Sequence, residues 1–250
     1  MKNKLVRRVA ASVLLFGSSV WGTGSLYAEK PAVTGLYPAG GQVGQTLDVE
    51  PVGKLGSNPV KVWTDRKEVS AEVTKDGKKL QVSIAKEAKP GVYWLRVWNA
   101  EGASSLRPFI VGRLPEVQEK EPNETLSAAQ AVDATGTVIN GKLHKSGELD
   151  TYKVTLKKGQ TLVADLVGNT ILKSPMDAVL QVFSAEGFQL AHADDSPKLD
   201  PQLAYTAPKD GEYFVRVFAF PETPNSSIRY AGGADYIYRL TLTTGPYAHH

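Results

Sequence analysis

The chain has no cysteine. That excludes disulfides, thiol nucleophiles and thiolate metal sites, so an extracellular form must be stabilised by core size or by bound ions. Beyond the N-terminal segment no apolar run is long enough to cross a bilayer. Helical periodicity is almost missing from the same region, which excludes bundle and doubly wound architectures. The motifs of familiar chemistry are also lacking: no HExxH, no GxSxG, no GxGxxG and no Walker-type phosphate loop. The four histidines, His144, His192, His249 and His250, fall into no zinc spacing, and the serine pairs Ser104-Ser105 and Ser226-Ser227 lie in loop-like sequence. An excess of one charge is lacking too. With the first 28 residues set aside, 25 Lys and Arg face 26 Asp and Glu, so the basic balance of the whole chain carries no message about nucleic acid.

What the N-terminus does contain is a basic stretch, Lys2, Lys4, Arg7 and Arg8, followed by the apolar run Val9 to Val20 and then small residues. This predicts a secretory signal peptide over residues 1–28, cut after Ala28, and so a secreted, periplasmic or cell-surface protein. An uncleaved membrane anchor is the competing reading of the same run. The remaining charge is uneven. Residues 31–112 carry 11 basic and 8 acidic side chains, whereas 113–250 carry 13 basic and 17 acidic, which suits cations better than polyanions in the C-terminal half.

Short runs rich in Val, Leu, Tyr and Phe recur between Gly, Pro, Asn and Asp turn signals, the pattern of antiparallel sandwiches. Strands are expected near 32–36, 46–50, 60–63, 68–73, 79–84, 91–98 and 107–111. Asp76-Gly77 supplies the tight turn between the fourth and fifth. Within 91–98, Tyr93, Leu95 and Val97 share one face and Trp94, Arg96 and Trp98 the other. Seven short strands in this space predict an Ig-like sandwich over 31–112. Residues 113–135, acidic and punctuated by proline, read as a linker with a helical turn or two near Thr125 to Val132. Strands resume near 137–139, 150–156, 161–166, 178–183, 189–193, 202–207, 212–218 and 236–243, which predicts a second, jelly-roll-like sandwich over 136–245. The fold class is thus all-β, two β-sandwiches in tandem.

Residues 31–112 resemble the immunoglobulin-like IPT/TIG domain through Leu36-Tyr37-Pro38-Ala39-Gly40-Gly41, Gly44-Gln45-Thr46, and Gly91-Val92-Tyr93 through Trp98-Asn99-Ala100-Glu101-Gly102. Residues 119–243 resemble the bacterial pre-peptidase C-terminal domain in five ordered pieces. These are Glu121-Pro122-Asn123; Asn140-Gly141 followed by Asp150-Thr151-Tyr152; Asp177 with Leu180; Asp194-Asp195-Ser196; and Gly211-Glu212-Tyr213 with Tyr236-Ile237-Tyr238-Arg239-Leu240. The pairing of the two is similar to secreted proteins of planctomycete-type bacteria. The resemblance implies a small sandwich attached to secreted peptidases and other extracellular proteins, outside the catalytic unit. It also implies likeness to the collagen-binding domains of bacterial collagenases, some of which hold calcium through the acidic segment before the sandwich. By matching position, Glu119, Glu121 and Asn123 fall on that segment, Asp150 on the loop that adds further carboxylates, and Glu148 beside it. Glu124 stands where the family more often has aspartate.

Ligand chemistry is compatible with this. Calcium takes six to eight hard oxygens, and residues 119, 121 and 123 alternate along an extended segment, so their side chains can share a side. The competing reading is a solvated acidic spacer. Asp194-Asp195-Ser196 tempts toward paired-carboxylate hydrolysis, but neighbouring residues on a strand face opposite ways, and turn chemistry explains the triplet. Most aromatics are expected in the cores, with Tyr230-Ala231-Gly232-Gly233 on an exposed loop suited to contact with a protein or polysaccharide. The sequence therefore predicts a non-enzymatic extracellular binding or adhesion module for a protein or polysaccharide, with no catalytic residues and a Ca2+ site. The alternative is the accessory front part of a larger secreted peptidase or other hydrolase, whose partner is then a peptidase domain. A stand-alone hydrolase is the third reading.

Overall fold

A computed structural model describes residues 28–195, 198–224 and 229–247. The expected signal peptide therefore lies outside the described residues, as do Ser196, Ser226, Ser227, His249 and His250. Among the described residues no helix is long and apolar enough to cross a membrane. The only helical piece described is a 3-10 turn at Leu126–Ala128, capped by the Thr125 hydroxyl accepting from the Ala128 amide.

The first sandwich is built from β1 (Ala32–Tyr37), β2 (Gly40–Gln42), β3 (Thr46–Lys54), β4 (Lys61–Thr64), β5 (Val69–Val73), β6 (Leu80–Ile84), β7 (Gly91–Asn99), β8 (Gly102–Ala103) and β9 (Arg107–Gly112). One sheet runs β1-β3-β6-β5 and the other β2-β9-β7-β4, with β8 added to β7. The alternation read in the sequence decides the packing. Tyr93, Leu95 and Val97 are buried with Val49, Leu80, Val82 and Phe109 in one core, while the other face of β7 turns outward. The tryptophans depart from the expected core role: Trp63 on β4 is 47% exposed and Trp98 on β7 is 40% exposed. Alternation separates the two faces of a strand but does not say whether anything covers the second.

The second sandwich comprises β10 (Glu116–Gln118), β11 (Gln130–Ala131), β12 (Thr137–Lys142), β13 (Asp150–Leu156), β14 (Thr161–Val167), β15 (Met176–Ser184), β16 (Gln189–Ala193), β17 (Gln202–Thr206), β18 (Gly211–Pro221) and β19 (Ile237–Thr243). Its sheets run β10-β12-β19-β14-β17 and β11-β13-β18-β15-β16. Between them lies the larger core, with Ile139, Tyr152, Leu166, Leu180, Val215, Val217, Tyr238 and Leu240 fully or almost fully buried. The acidic stretch after residue 113 is not free of the sheets: β10 adds to β12 in parallel and β11 to β13. Gln130 tightens it by accepting from the Lys120 amide and donating to the Gln118 carbonyl.

Glu116 explains why β10 stays down. Its carboxylate receives both terminal nitrogens of Arg239 at 2.7 and 2.9 Å, and Arg239 also donates to Asn140 Oδ1. Both partners are almost wholly buried, so loss of either leaves an uncompensated charge, at a cost of about 3–5 kcal/mol. The guanidinium also reaches the first sandwich. A side chain at Gly40 would collide with Arg239 and with the Ile110 carbonyl, so the close approach requires glycine. A small apolar contact of Ala39, Leu172 and Ile237, and a 2.6 Å hydrogen bond from Thr34 Oγ1 to Asp235 Oδ1, complete the junction between the two sandwiches.

Candidate metal centre

The five residues singled out from the sequence converge at the junction. Glu119 follows β10, and its amide donates to the Asn140 carbonyl of β12. Its side chain is only 3% exposed and accepts from the Lys142 amide at 2.7 Å. Asn123, fully buried, is tied to the start of β13 through its carbonyl, which accepts from the Thr151 amide. Glu121, between them, is exposed and accepts from the Asn123 amide. Glu148 and Asp150 arrive from the β12–β13 loop and the first position of β13, both buried. The stretch 119–123 and the β13 entry are thus pressed together by backbone hydrogen bonds, and the acids come with them.

Two overlapping groups of ligand atoms form. Glu119, Glu121 and His144 each place one within 4.8 Å of the others, and so do Glu121, Glu124 and Glu148. Asp150 stands outside both groups but acts on the Glu119, Glu121 and Glu148 carboxyls electrostatically. Its Oδ2 accepts a 2.5 Å hydrogen bond from Tyr238, whose hydroxyl also meets that of Tyr152 at 2.5 Å. A side chain at Gly141 would strike the Tyr238 ring, so the Asn140-Gly141 pair is what admits this tyrosine. From the first sandwich, the Tyr37 hydroxyl reaches Glu119 Oε1 at 3.4 Å and the Asn140 carbonyl at 3.3 Å.

The electrostatics are those of an under-neutralised acid cluster. Burial, then the neighbouring Asp150 charge, raises the Glu119 carboxyl far above the usual carboxylate range. Burial likewise raises Asp150, with Glu121 and Glu148 adding repulsion against the favourable Tyr238 bond. Glu121 is raised by partial burial and by Glu148 and Glu124. His144 lies 3.1 Å from Glu119, yet its own pKa is lowered by burial and by Lys142. Burial thus opposes the charged form of both partners, which weakens the contact as an ion pair. The nearby Lys145, 3.9 Å from Glu124 and well exposed, neutralises little.

One observation goes beyond acid density. Asn123 Oδ1 and Nδ2 and Asp150 Oδ1 are buried and make no hydrogen bond among the described residues. A buried polar atom left unpaired costs about 1–3 kcal/mol, and here the orphaned atoms sit among carboxylates. Oxygen donors of this kind, several carboxylates with one amide, fit a hard divalent cation. Sequence reasoning missed His144, whose signal was only its place between Asn140 and Asp150, and Tyr37 and Tyr238, whose hydroxyls come from distant strands.

Other expectations resolve differently. Asp194 and Asp195 follow β16, and their charges, after burial, help raise the Asp177 carboxyl. Tyr230 lies outside any strand and is 38% exposed, as expected of the loop, while one side of its ring packs 4.5 Å from Phe218 and 5.7 Å from Phe220.

Residues 148–219 match the bacterial pre-peptidase C-terminal domain. A probable subtilase-type serine protease of Deinococcus radiodurans is 29% identical over 123 residues, covering 49% of this chain; the chain spans only 16% of that relative's length. Among solved structures, the pre-peptidase C-terminal domain of Bacillus anthracis collagenase is 13% identical with a TM-score of 0.36, covering 50% of this chain and all of that one. SGBP-B of the Bacteroides ovatus mixed-linkage glucan utilization locus, solved with a mixed-linkage heptasaccharide, is 11% identical with a TM-score of 0.28, covering 86% of this chain and 74% of that one. Residues 148–219 of the sandwich that carries the acid cluster are thus similar to a bacterial pre-peptidase C-terminal domain, and the sandwich before it is likewise all-β.

Proposed function

We propose that this protein is a non-catalytic extracellular binding module for a protein or polysaccharide, in which calcium joins the acidic segment 119–124 to the second sandwich. Glu119, Glu121, Asn123, Glu148 and Asp150 hold the ion, with Glu124 at its edge. The observation that carries the reading is the burial of unpaired Asn123 and Asp150 oxygens beside the clustered carboxyls of Glu119, Glu121 and Glu148. A bound divalent cation supplies the missing charge and the missing ligand contacts together. Because Glu119 also receives the Tyr37 hydroxyl, the ion braces the first sandwich as well as the second. Rigid orientation of two binding surfaces is what such a brace does for an accessory module.

A second reading has its own support. The curated relative is a probable subtilase-type serine protease many times longer than the shared region. The pair of sandwiches then serves as the accessory part of a larger secreted peptidase, with the same calcium brace. Export through the N-terminal segment belongs to both readings.

Thermal unfolding of the purified protein in excess calcium and then in chelator tests the calcium site. At about 100 times the dissociation constant, the ion stabilises the native state by about 2.7 kcal/mol. For a chain of this size that raises the melting midpoint by roughly 5–10 °C. Asp150→Asn and Glu121→Ala are expected to abolish the shift. An unchanged midpoint at millimolar calcium overturns the site.

A further inference from the structure

β7 leaves one face of the first sandwich bare. Across the β4–β7 pair, Trp63 stands opposite Arg96 and Lys61 opposite Trp98. The two exposed indoles are therefore diagonal neighbours, roughly 7 Å apart at their Cβ atoms. Trp63, Arg96, Trp98 and Leu106 line an open cleft of about 560 Å³ to which no carboxylate contributes. The Lys61 ammonium lies 5.2 Å from the centre of the Trp98 ring. Among the described residues neither Lys61 nor Arg96 has an ion-pair partner.

The second sandwich shows the same strand position when it is merely structural. There the residues matching Arg96 and Trp98 are Arg216 and Phe218. Arg216 lies over the Phe183 ring, and Phe218 is covered by Phe220 and Tyr230. Among the described residues the first sandwich provides no such aromatic cover, so Trp63 and Trp98 are a surface rather than a core.

We propose that this face binds an acidic polysaccharide, with uronate rings stacked on Trp63 and Trp98 and their carboxylates paired with Arg96 and Lys61. A pyranose offers an apolar C–H face that lies flat on an indole, and two indoles side by side accept successive sugars. In a uronate the carboxylate projects from the ring edge, so stacking directs it toward the cations that flank each ring. Arg96 presents a planar fork suited to a carboxylate. Two cations without an ion-pair partner among the described residues, one of them resting on the Trp98 ring, complement a polyanion, whereas a neutral glycan leaves their charge unpaired. A second copy docking the same face about a two-fold axis sets basic residues near basic residues, which opposes self-association. The inference deepens the binding role proposed above and rests on that reading for its extracellular setting, while the calcium site lies in the other sandwich.

The test is titration of the purified full chain with hexagalacturonate, followed by calorimetry and tryptophan fluorescence, beside its methyl ester, cellohexaose and a heparin-derived hexasaccharide. The acid is expected to bind at least tenfold more tightly than its ester or cellohexaose, with a shift in indole emission. Trp63→Ala and Trp98→Ala each weaken it tenfold or more at an unchanged melting midpoint, and Arg96→Gln removes the preference for acid over ester. Equal affinity for acid and ester, preference for the sulfated sugar, or no binding at millimolar hexagalacturonate overturns the proposal. So does a dimer in sedimentation that Trp98→Ala dissolves. Calcium-dependent melting, measured on the same samples, separates the two readings: if it persists while the sugar fails to bind, only the glycan proposal falls.

Discussion

β7 and β18 carry nearly the same text. Lys89-Pro90-Gly91-Val92-Tyr93-Trp94-Leu95-Arg96-Val97-Trp98 matches Lys209-Asp210-Gly211-Glu212-Tyr213-Phe214-Val215-Arg216-Val217-Phe218 in type at eight of ten positions, Pro90 against Asp210 and Val92 against Glu212 being the exceptions. Each is an inner strand of its sheet, paired on both sides. In each, the tyrosine hydroxyl donates to the carbonyl four residues earlier, Lys89 or Lys209, at 3.0 and 2.9 Å. The inward faces are equivalent too: Tyr93, Leu95 and Val97 are as buried as Tyr213, Val215 and Val217. Only the outward faces part. Phe218 is 6% exposed under its aromatic cover, and Trp98 is 40% exposed. The inward face is dictated by the need for a core, so it is the same in both. The outward face is under no such demand, and its difference reports what each sandwich is for.

Truncation of the two outward aromatics breaks this comparison most sharply. Phe218→Ala empties a packed aromatic site and is expected to destabilise the second sandwich by about 3 kcal/mol. Trp98→Ala removes a ring that already faces solvent, and its cost is expected to stay within about 0.5 kcal/mol. Urea unfolding of the two variants measures both. Similar losses would mean that Trp98 is a packing residue after all.

The alternation that made β7 and β18 legible is local, and so were the Asp-Gly turns and the order of the larger strands. What the sequence hid was everything that depends on a distant partner. β2, β10 and β11 are two or three residues long, too short for a period to show. Glu116 reads as one more acid in a polar stretch because Arg239, which buries it, lies 123 residues away. For the same reason Trp98 and Phe218 look alike: whether the outer face is covered depends on Phe220 and Tyr230 folding back in one sandwich and on nothing doing so in the other. The five acidic and amide positions could be named because the resemblance placed them on two short stretches that the fold brings together, while Tyr37 and Tyr238 meet them only through distant strands.

The two sandwiches also differ in charge balance, and pH sharpens that difference. Glu119 and Asp150 have pKa values raised in the folded chain, so without calcium their protonated forms are favoured by folding. Their contribution is fully present below the unfolded carboxyl range, near pH 4, and is lost as pH rises through the folded values. Without calcium, the melting midpoint of the second sandwich is therefore expected to fall as pH is raised from 5 to 9. Calcium competes with those protons, so its stabilising shift grows over the same range. Asp150→Asn flattens both trends. Differential scanning calorimetry at a series of pH values distinguishes this from a pH-independent shift, which would place the ion elsewhere.

The smallest expected effect concerns the feature the two strands share. Tyr93→Phe and Tyr213→Phe each remove one hydroxyl and leave the Lys89 or Lys209 carbonyl without that donor, at a cost of about 1 kcal/mol. Equal costs would identify the tyrosine bond as one structural device used twice. The rings, however, are not in equal surroundings. The Arg66 guanidinium lies 3.6 Å from the centre of the Tyr93 ring, whereas Tyr213 packs 5.6 Å from Tyr205. Phenylalanine keeps both ring contacts, so chemical denaturation of the two variants isolates the hydroxyl. A negligible loss for Tyr93→Phe beside a full loss for Tyr213→Phe would show that the cation above the ring, not the bond at its tip, fixes this corner of the first sandwich.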